Sequence, residues 1–312
     1  MRFGPGTSSM GGEWSGRRCL VTGAAGFIGS ALCIRLRELG AEVFGSHRDA
    51  PCAGEAPLLQ CDVSDATQVG RVFREMRPDC VFHLAGKVSG DRSLGLVPVA
   101  LAANFVGTVN VLLAATEARC SNVVTLGSLH EPDQVLPPVP PTPYAAAKFA
   151  ASAYARMFAE IYSLPVTIAR PLMVYGAGQL DFNKLVPYVS RSLVRGEVAE
   201  LSSGRQSFDW VYVDDVVEAL TLIASRSDVA GHTIDVGLGQ LTSVGDIALG
   251  IGRRLEASSL IRLGALPDRK LEPTRVADVT RTAALIGWHA RVSVEEGLDR
   301  AVAWYRTHLG NR

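Results

Sequence analysis

The sequence predicts an α/β fold: a doubly wound parallel sheet followed by a smaller C-terminal lobe. Two observations carry this. Short apolar runs alternate with longer amphipathic stretches through the first half of the 312-residue chain, and a glycine-spaced turn joins the first run to the first stretch. Strand, helix, strand, helix in that order requires parallel strands with helices on both faces.

The apolar runs predict strands at Arg18–Thr22, Glu42–Gly45, Cys80–Leu84, Asn122–Leu126 and Val166–Ala169. Helical periodicity predicts helices at Ile28–Leu39, Ala66–Met76, Val99–Glu117 and Tyr144–Ile161. The Gly/Ser-rich start, residues 1–16, has no long apolar run and reads as a disordered lead-in, not as a signal peptide or membrane span. Residues 136–143, LPPVPPTP, cannot be helix or central strand and form a rigid loop into the fourth helix. The expected division is 17–172 for the main domain and 173–312 for most of the second lobe. Asp209–Val213 and His232–Val236 are expected to return to the main sheet, so the returns span about 209–236.

Lys+Arg and Asp+Glu both number 31, so no net field draws the chain to nucleic acid or an anionic membrane. An anionic ligand must be held by local charge. Six cysteines without zinc spacing read as reduced core thiols of a cytoplasmic protein, with no metal site.

The first turn reads Gly23-Ala-Ala-Gly26-Phe27-Ile28-Gly29 between strand and helix. Gly23 permits a tight turn, Gly26 lets the backbone approach a pyrophosphate, and Gly29 lets helix and strand pack closely. The free N–H groups at the helix start meet the phosphates. This is the dinucleotide fingerprint of a Rossmann sheet, in the context that gives it meaning. The second strand ends at Ser46-His47-Arg48, where an acid would hold the adenosine ribose of NAD and an Arg would accept the 2′-phosphate of NADP. NADP(H) is therefore expected, with NAD(H) as the alternative through Asp49. Asp62 and Val63 are placed to meet the adenine ring.

Tyr144 and Lys148 stand one turn apart on one helix face. A free phenol with a pKa of about 10 is a poor acid/base at neutral pH, and a nearby ammonium lowers that value. Lys148 can also hold the nicotinamide ribose. Ser128, after the Asn122–Leu126 strand, can hold the reacting oxygen beside Tyr144. The apolar circumference of the third and fourth helices (Val109, Val111, Leu112 and Leu113; Ala145–Ala147, Phe149, Ala153 and Phe158) calls for a second covering surface and predicts a homodimer.

These motifs in this order resemble the extended short-chain dehydrogenase/reductase family, also called the NAD-dependent epimerase/dehydratase family. The resemblance covers nearly everything after the lead-in. TGAAGFIGS (22–30) is similar to its cofactor loop. HLAG, with Leu84, Ala85 and Gly86, resembles the turn on the nicotinamide side, and Asn104 with Gly107-Thr108 resembles its NxxGT helix. Ser128, Tyr144 and Lys148 fall where the family keeps its catalytic trio. RPLMVYGAGQ, with Pro171, resembles the crossing into the substrate-binding lobe. FDWVYVDDVVEAL (208–220) and Leu285-Ile-Gly-Trp288 resemble later landmarks.

The resemblance implies a nucleotide-sugar substrate, with NADPH-dependent 4-keto-6-deoxyhexose reductases as the nearest group. Leu129 and His130 stand where dehydratases carry an acidic pair, which argues against elimination of water. Phe208 stands where the family commonly has a diphosphate-binding Arg. Arg205 lies nearby, Arg269 resembles the second diphosphate Arg, and the substrate anion is expected between the two. The leading expectation is reduction of a keto group on a nucleotide-linked deoxysugar. The alternatives are a nucleotide-sugar epimerase with tightly bound NAD, a reductase of a nonsugar ketone, and a nonenzymatic dinucleotide sensor.

Overall fold

The computed structural model describes residues 11–48, 58–128, 131, 139–268 and 274–309. They fall into two compact units. One is drawn from Met1–Arg170, Val217–Asp235 and Ala284–Trp288, the other from Pro171–Val216, Val236–Ala283 and His289–Arg312.

The first unit opens with a short helix, α1 (Gly11–Trp14). A parallel sheet follows, with β1 (Arg18–Thr22), β2 (Glu42–His47), β3 (Leu58–Gln60), β4 (Cys80–His83), β5 (Asn122–Leu126), β6 (Val166–Pro171) and, later in the chain, β10 (Thr233–Val236). Their spatial order is β10-β6-β5-β4-β1-β2-β3. The chain starts in the middle, winds to one edge and then crosses back to the other, as the alternating pattern requires. The connecting helices are α2 (Phe27–Glu38), α3 (Ala66–Met76), α4 (Leu96–Ala100), α5 (Gly107–Glu117) and α6 (Pro143–Tyr162). Between α4 and α5 the helix widens into a π-helical stretch, Leu101–Val106. The four buried positions of β4 mark a strand covered on both faces.

Helix starts follow their capping chemistry. The Asp65 carboxylate accepts from the amides of Thr67 and Gln68 ahead of α3. Thr142 Oγ1 accepts from Ala145 N at 3.0 Å, and Pro143 occupies the first turn of α6. That proline belongs to the helix because its missing N–H is not needed there, so α6 begins one residue before the sequence pattern suggests.

Two expectations are corrected. Trp14, assigned to a disordered lead-in, is fully buried, 6.2 Å from the Phe82 ring, with the Arg17 guanidinium 4.9 Å over its own. This buried aromatic side chain, with Arg17 donating to Ala224 O and Asn122 Oδ1, ties down a stretch whose composition reads as loop; residues 1–10 lie outside the described residues. The 209–213 stretch does not return to the main sheet. It lies in β9 (Ser207–Tyr212), which pairs with β7 (Met173–Tyr175) and β11 (Leu241–Ser243) in a separate three-stranded sheet. Asp209 explains the placement: its carboxylate accepts from the amides of Leu238, Gly239 and Ala277, all in the second unit.

The second unit also contains α7 (Leu185–Val194), β8 (Ala199–Glu200), α9 (Val244–Arg254), β12 (Ile261–Arg262) and α11 (Val294–Leu309). Two helices have residues in both units, α8 (Val213–Ala224) and α10 (Val279–Ile286). Phe208, where an Arg was the family expectation, is a core residue 6.3 Å edge-on to Trp210.

Candidate active site

The carboxyl ends of β1, β2, β4 and β5 bring the site together in the first unit. Gly23 turns at φ +71°, and a Cβ there would come within 2.8 Å of Ala85 N. Its amide and that of Ala24 both donate to Ser46 O, at 2.9 and 3.1 Å, which ties the turn to the tip of β2. A Cβ on Gly29 would fall onto Gly23 O. Gly26 caps α2 without a side chain, so Phe27, Ile28 and Gly29 open the helix with no side chain over their amides. A cradle of bare backbone at the N-terminus of a long helix fits a pyrophosphate. Ser46, buried beside it, has a hydroxyl without a partner among the described residues.

Where the adenosine is expected, β2 closes at His47, and Arg48 is exposed, its carbonyl 3.3 Å from Gln60 Nε2. Asp49 lies outside the described residues. The Asp62 carboxylate accepts from the amide and hydroxyl of Ser64 at 2.9 and 2.7 Å. Val63 is buried, and its side chain fills the space a Cβ on Gly107 would need.

At the turn expected to face the nicotinamide, Leu84 and Ala85 hang from Thr22. Leu84 N donates to its carbonyl and Ala85 N to its hydroxyl. Asn104, buried in the π-helical stretch, clamps the next turn by accepting from Lys87 N and donating to Lys87 O, both at 3.0 Å. A Cβ on Gly86 would collide with Asn104 Oδ1 and lie 3.8 Å from Lys148 Nζ. A π-helical turn of this kind is a frequent mark of a functional site.

Ser128 and Tyr144 share a side-chain hydrogen bond. Lys148 is buried on α6 and donates from Nζ to Leu126 O at 2.8 Å. Burial pushes the Tyr144 phenol up to about 12, opposed by the Ser128 hydrogen bond and reinforced by the charge of Glu131. Burial lowers Lys148 to about 8, with the Glu131 charge acting the other way. The expectation that Lys148 depresses Tyr144 is therefore not what the chain alone produces. Desolvation dominates, and the ammonium is spent on a carbonyl.

Glu131 is the residue the sequence reading missed. It is buried, and its Oε1 accepts from Ser128 N at 2.7 Å and from Ser152 Oγ at 3.1 Å. The spacing Ser128-x-x-Glu131 was the available signal, hidden in a stretch that reads as Pro-rich loop. Of the other predicted contacts, Leu129, His130 and Arg269 lie outside the described residues. Pro171 is buried at the end of β6. Arg205 is exposed, and its charge acts on Asp268, whose carboxylate accepts from Ser203. An acid beside Arg205 weakens the case for a dianion there.

A glycine cradle at a helix start, with Ser128 just beyond β5 and Tyr144 and Lys148 on α6, marks an α/β protein of the Rossmann class. The chain belongs to the NAD dependent epimerase/dehydratase family, whose profile matches residues 19–237. It is 30% identical to the UDP-glucose 4-epimerase of Mycolicibacterium smegmatis, over 93% of this chain and 98% of that one. It is likewise 30% identical to a probable dTDP-glucose 4,6-dehydratase of Sinorhizobium fredii, over 92% of each. Among solved structures, the Thermus thermophilus UDP-glucose 4-epimerase complex with NAD superposes with a TM-score of 0.83 at 26% identity, covering 93% of this chain and 99% of that one.

Proposed function

We propose that the protein is a nucleotide-sugar epimerase working with bound NAD. One observation carries the reading: Ser128 and Tyr144 share a hydrogen bond one helical turn from buried Lys148, in a chain similar along 93% of its length to a UDP-glucose 4-epimerase. Phe27, Ile28 and Gly29 would hold the pyrophosphate, with Ser46, Asp62 and Val63 toward the adenosine and Leu84, Ala85, Gly86, Asn104, Lys148 and Pro171 toward the nicotinamide. NAD held by these residues would supply a hydride acceptor and donor, and its oxidised ring would add positive charge to the site.

Ser128 donates to the sugar oxygen. Tyr144 takes the hydroxyl proton as hydride leaves the adjoining carbon, giving a ketone. After the sugar turns its other face, hydride returns to the carbonyl carbon and Tyr144 returns the proton to the oxygen. Proton and hydride both come back, so no cofactor is consumed. At about 12 the phenol is too weak an acid to ionise at neutral pH, and the positive charge that a bound oxidised cofactor would bring, next to Lys148, would lower it. Elimination of water is not part of the proposal, because Leu129 and His130 offer no acidic pair and the Glu131 carboxylate is turned onto the Ser128 amide.

A second reading, NADPH-dependent reduction of a keto sugar, is favoured by Arg48 and by the lack of a carboxylate at the carboxyl end of β2, which reads Gly45-Ser46-His47. Incubation with UDP-glucose, followed by NMR of the anomeric protons and absorbance of reduced cofactor, separates the two. Epimerisation gives a second hexose without net cofactor change, whereas loss of NADPH against a keto-sugar nucleotide supports the reductase. Arg269 remains our proposed grip on the diphosphate. We also propose that the protein works in the cytoplasm and that two copies pair through the α4–α5 and α6 faces.

A further inference from the structure

Glu131 is a buried charge that the proton-transfer scheme leaves unused. Its surroundings are unusually specific. Oε1 accepts from the Ser128 amide and the Ser152 hydroxyl, and a Cβ on Gly127 would lie 2.7 Å from the same atom. Only hydrogen at Gly127 therefore lets the carboxylate sit behind the catalytic serine. A backbone N–H can only donate, so Oε1 has to be an acceptor, and a carboxylate meets that need fully. Cations face it from two elements: Lys148 on α6 and Arg170 on β6, the latter ion-paired at 2.6 Å with Asp235 on β10. Tyr144 on α6 also feels its charge, and His83 on β4, held neutral by burial, feels that of Lys148.

We propose that Glu131 is a positioning residue that fixes Ser128 through its backbone amide and supplies the negative charge against which Lys148 and Tyr144 are set. The inference rests on Tyr144 being the acid/base and is independent of which sugar is bound. Burial raises the Glu131 carboxyl itself, and the two hydrogen bonds, Arg170 and Lys148 pull it back down. Its negative charge raises both Lys148 and Tyr144. Removing that charge must therefore move both titrations the same way, to lower pH, whichever of the two a measurement follows.

Glu131→Gln is the direct test, because the amide oxygen still accepts from Ser128 N–H and only the charge is lost. The tyrosinate absorbance of Tyr144, taken as the difference from a matched Tyr144→Phe protein, should titrate at lower pH in Glu131→Gln than in wild type. The alkaline limb of the kcat profile should move with it. Glu131→Asp keeps the charge and shortens the reach to Ser128, so its profile should stay near the wild-type position while kcat falls several-fold. Superimposable titrations for wild type and Glu131→Gln would overturn the proposal, as would an equal displacement in Glu131→Asp. Should Glu131→Gln not fold, Glu131→Asp and Ser152→Ala decide: a displaced titration in Glu131→Asp still contradicts the charge role, and Ser152→Ala should lower kcat without moving the titration. An active Tyr144→Phe enzyme would instead sink the underlying acid/base assignment, which keeps the two failures distinct.

Discussion

His83 shows how far a single side chain can be specified. Thr108 Oγ1 donates to Asn104 O at 2.7 Å, so it must accept from His83 Nε2 at 3.1 Å. Thr22 Oγ1 accepts from Ala85 N and, with its own hydrogen free, can donate to His83 Nδ1 at 2.8 Å. Both ring nitrogens are satisfied by the neutral imidazole with hydrogen on Nε2, the form that burial favours. Burial accordingly lowers His83 from 6.5 to about 3, with the Lys148 charge adding to the shift. Between those values the unfolded chain binds a proton that the folded one refuses, so stability falls as pH drops below 6.5. The His83 share of that loss is about 2 kcal/mol between pH 7 and pH 5. Urea unfolding of wild type and His83→Asn at both pH values measures it: the wild type should lose the additional amount, and equal losses would refute the buried neutral assignment. Nothing in the sequence disclosed this network. Thr22, His83, Asn104 and Thr108 are spread over 87 positions, and only the sheet register Thr22↔His83 brings the first two together.

At the scale of elements, periodicity located what is repetitive and failed where one residue decides. β1, β5 and α3 have the predicted bounds because their apolar spacing is regular and their flanks carry caps or turns. The helix expected over Val99–Glu117 is continuous but changes to a π-helical turn at Leu101–Val106, a widening that no hydrophobic period encodes. Helix α1 was missed because a four-residue segment has no measurable period. Its anchor is testable. Trp14→Ala removes a fully buried indole and should cost about 3–5 kcal/mol of unfolding free energy. Chemical denaturation showing a change under 1 kcal/mol would mean that α1 contributes nothing to the core. The tight turn at Gly23 and the close helix–strand packing at Gly29 were legible, since each is required by a close backbone approach.

For the whole molecule, the exposed apolar residues of the α4–α5 segment and α6 decide what must cover them. Val111, Leu112, Ala145, Ala147 and Phe158, named from sequence as interface candidates, are buried in their own unit. Leu113, Ala146 and Ala153, also named from sequence, are exposed, and the uncovered surface adds Val97, Leu101, Tyr154 and Ile161, up to 65% exposed at Ile161. A patch of this kind on two adjacent helices predicts a two-fold dimer. Sedimentation should find two chains at micromolar concentration, and Leu113→Glu with Ile161→Glu should give monomer; a monomeric wild type would leave the patch unexplained. The sequence fell short here because helix periodicity ranks faces by apolarity and cannot tell which of two apolar faces meets the sheet. The central claim, that Tyr144 moves the proton while the dinucleotide is held by other groups, has a more direct test. Turnover and NAD affinity of Tyr144→Phe, measured on the same preparation, should show kcat reduced by roughly 10²–10⁴-fold, in line with loss of a general acid/base, and a dissociation constant for NAD close to that of wild type. Near-normal turnover in that variant would contradict the account.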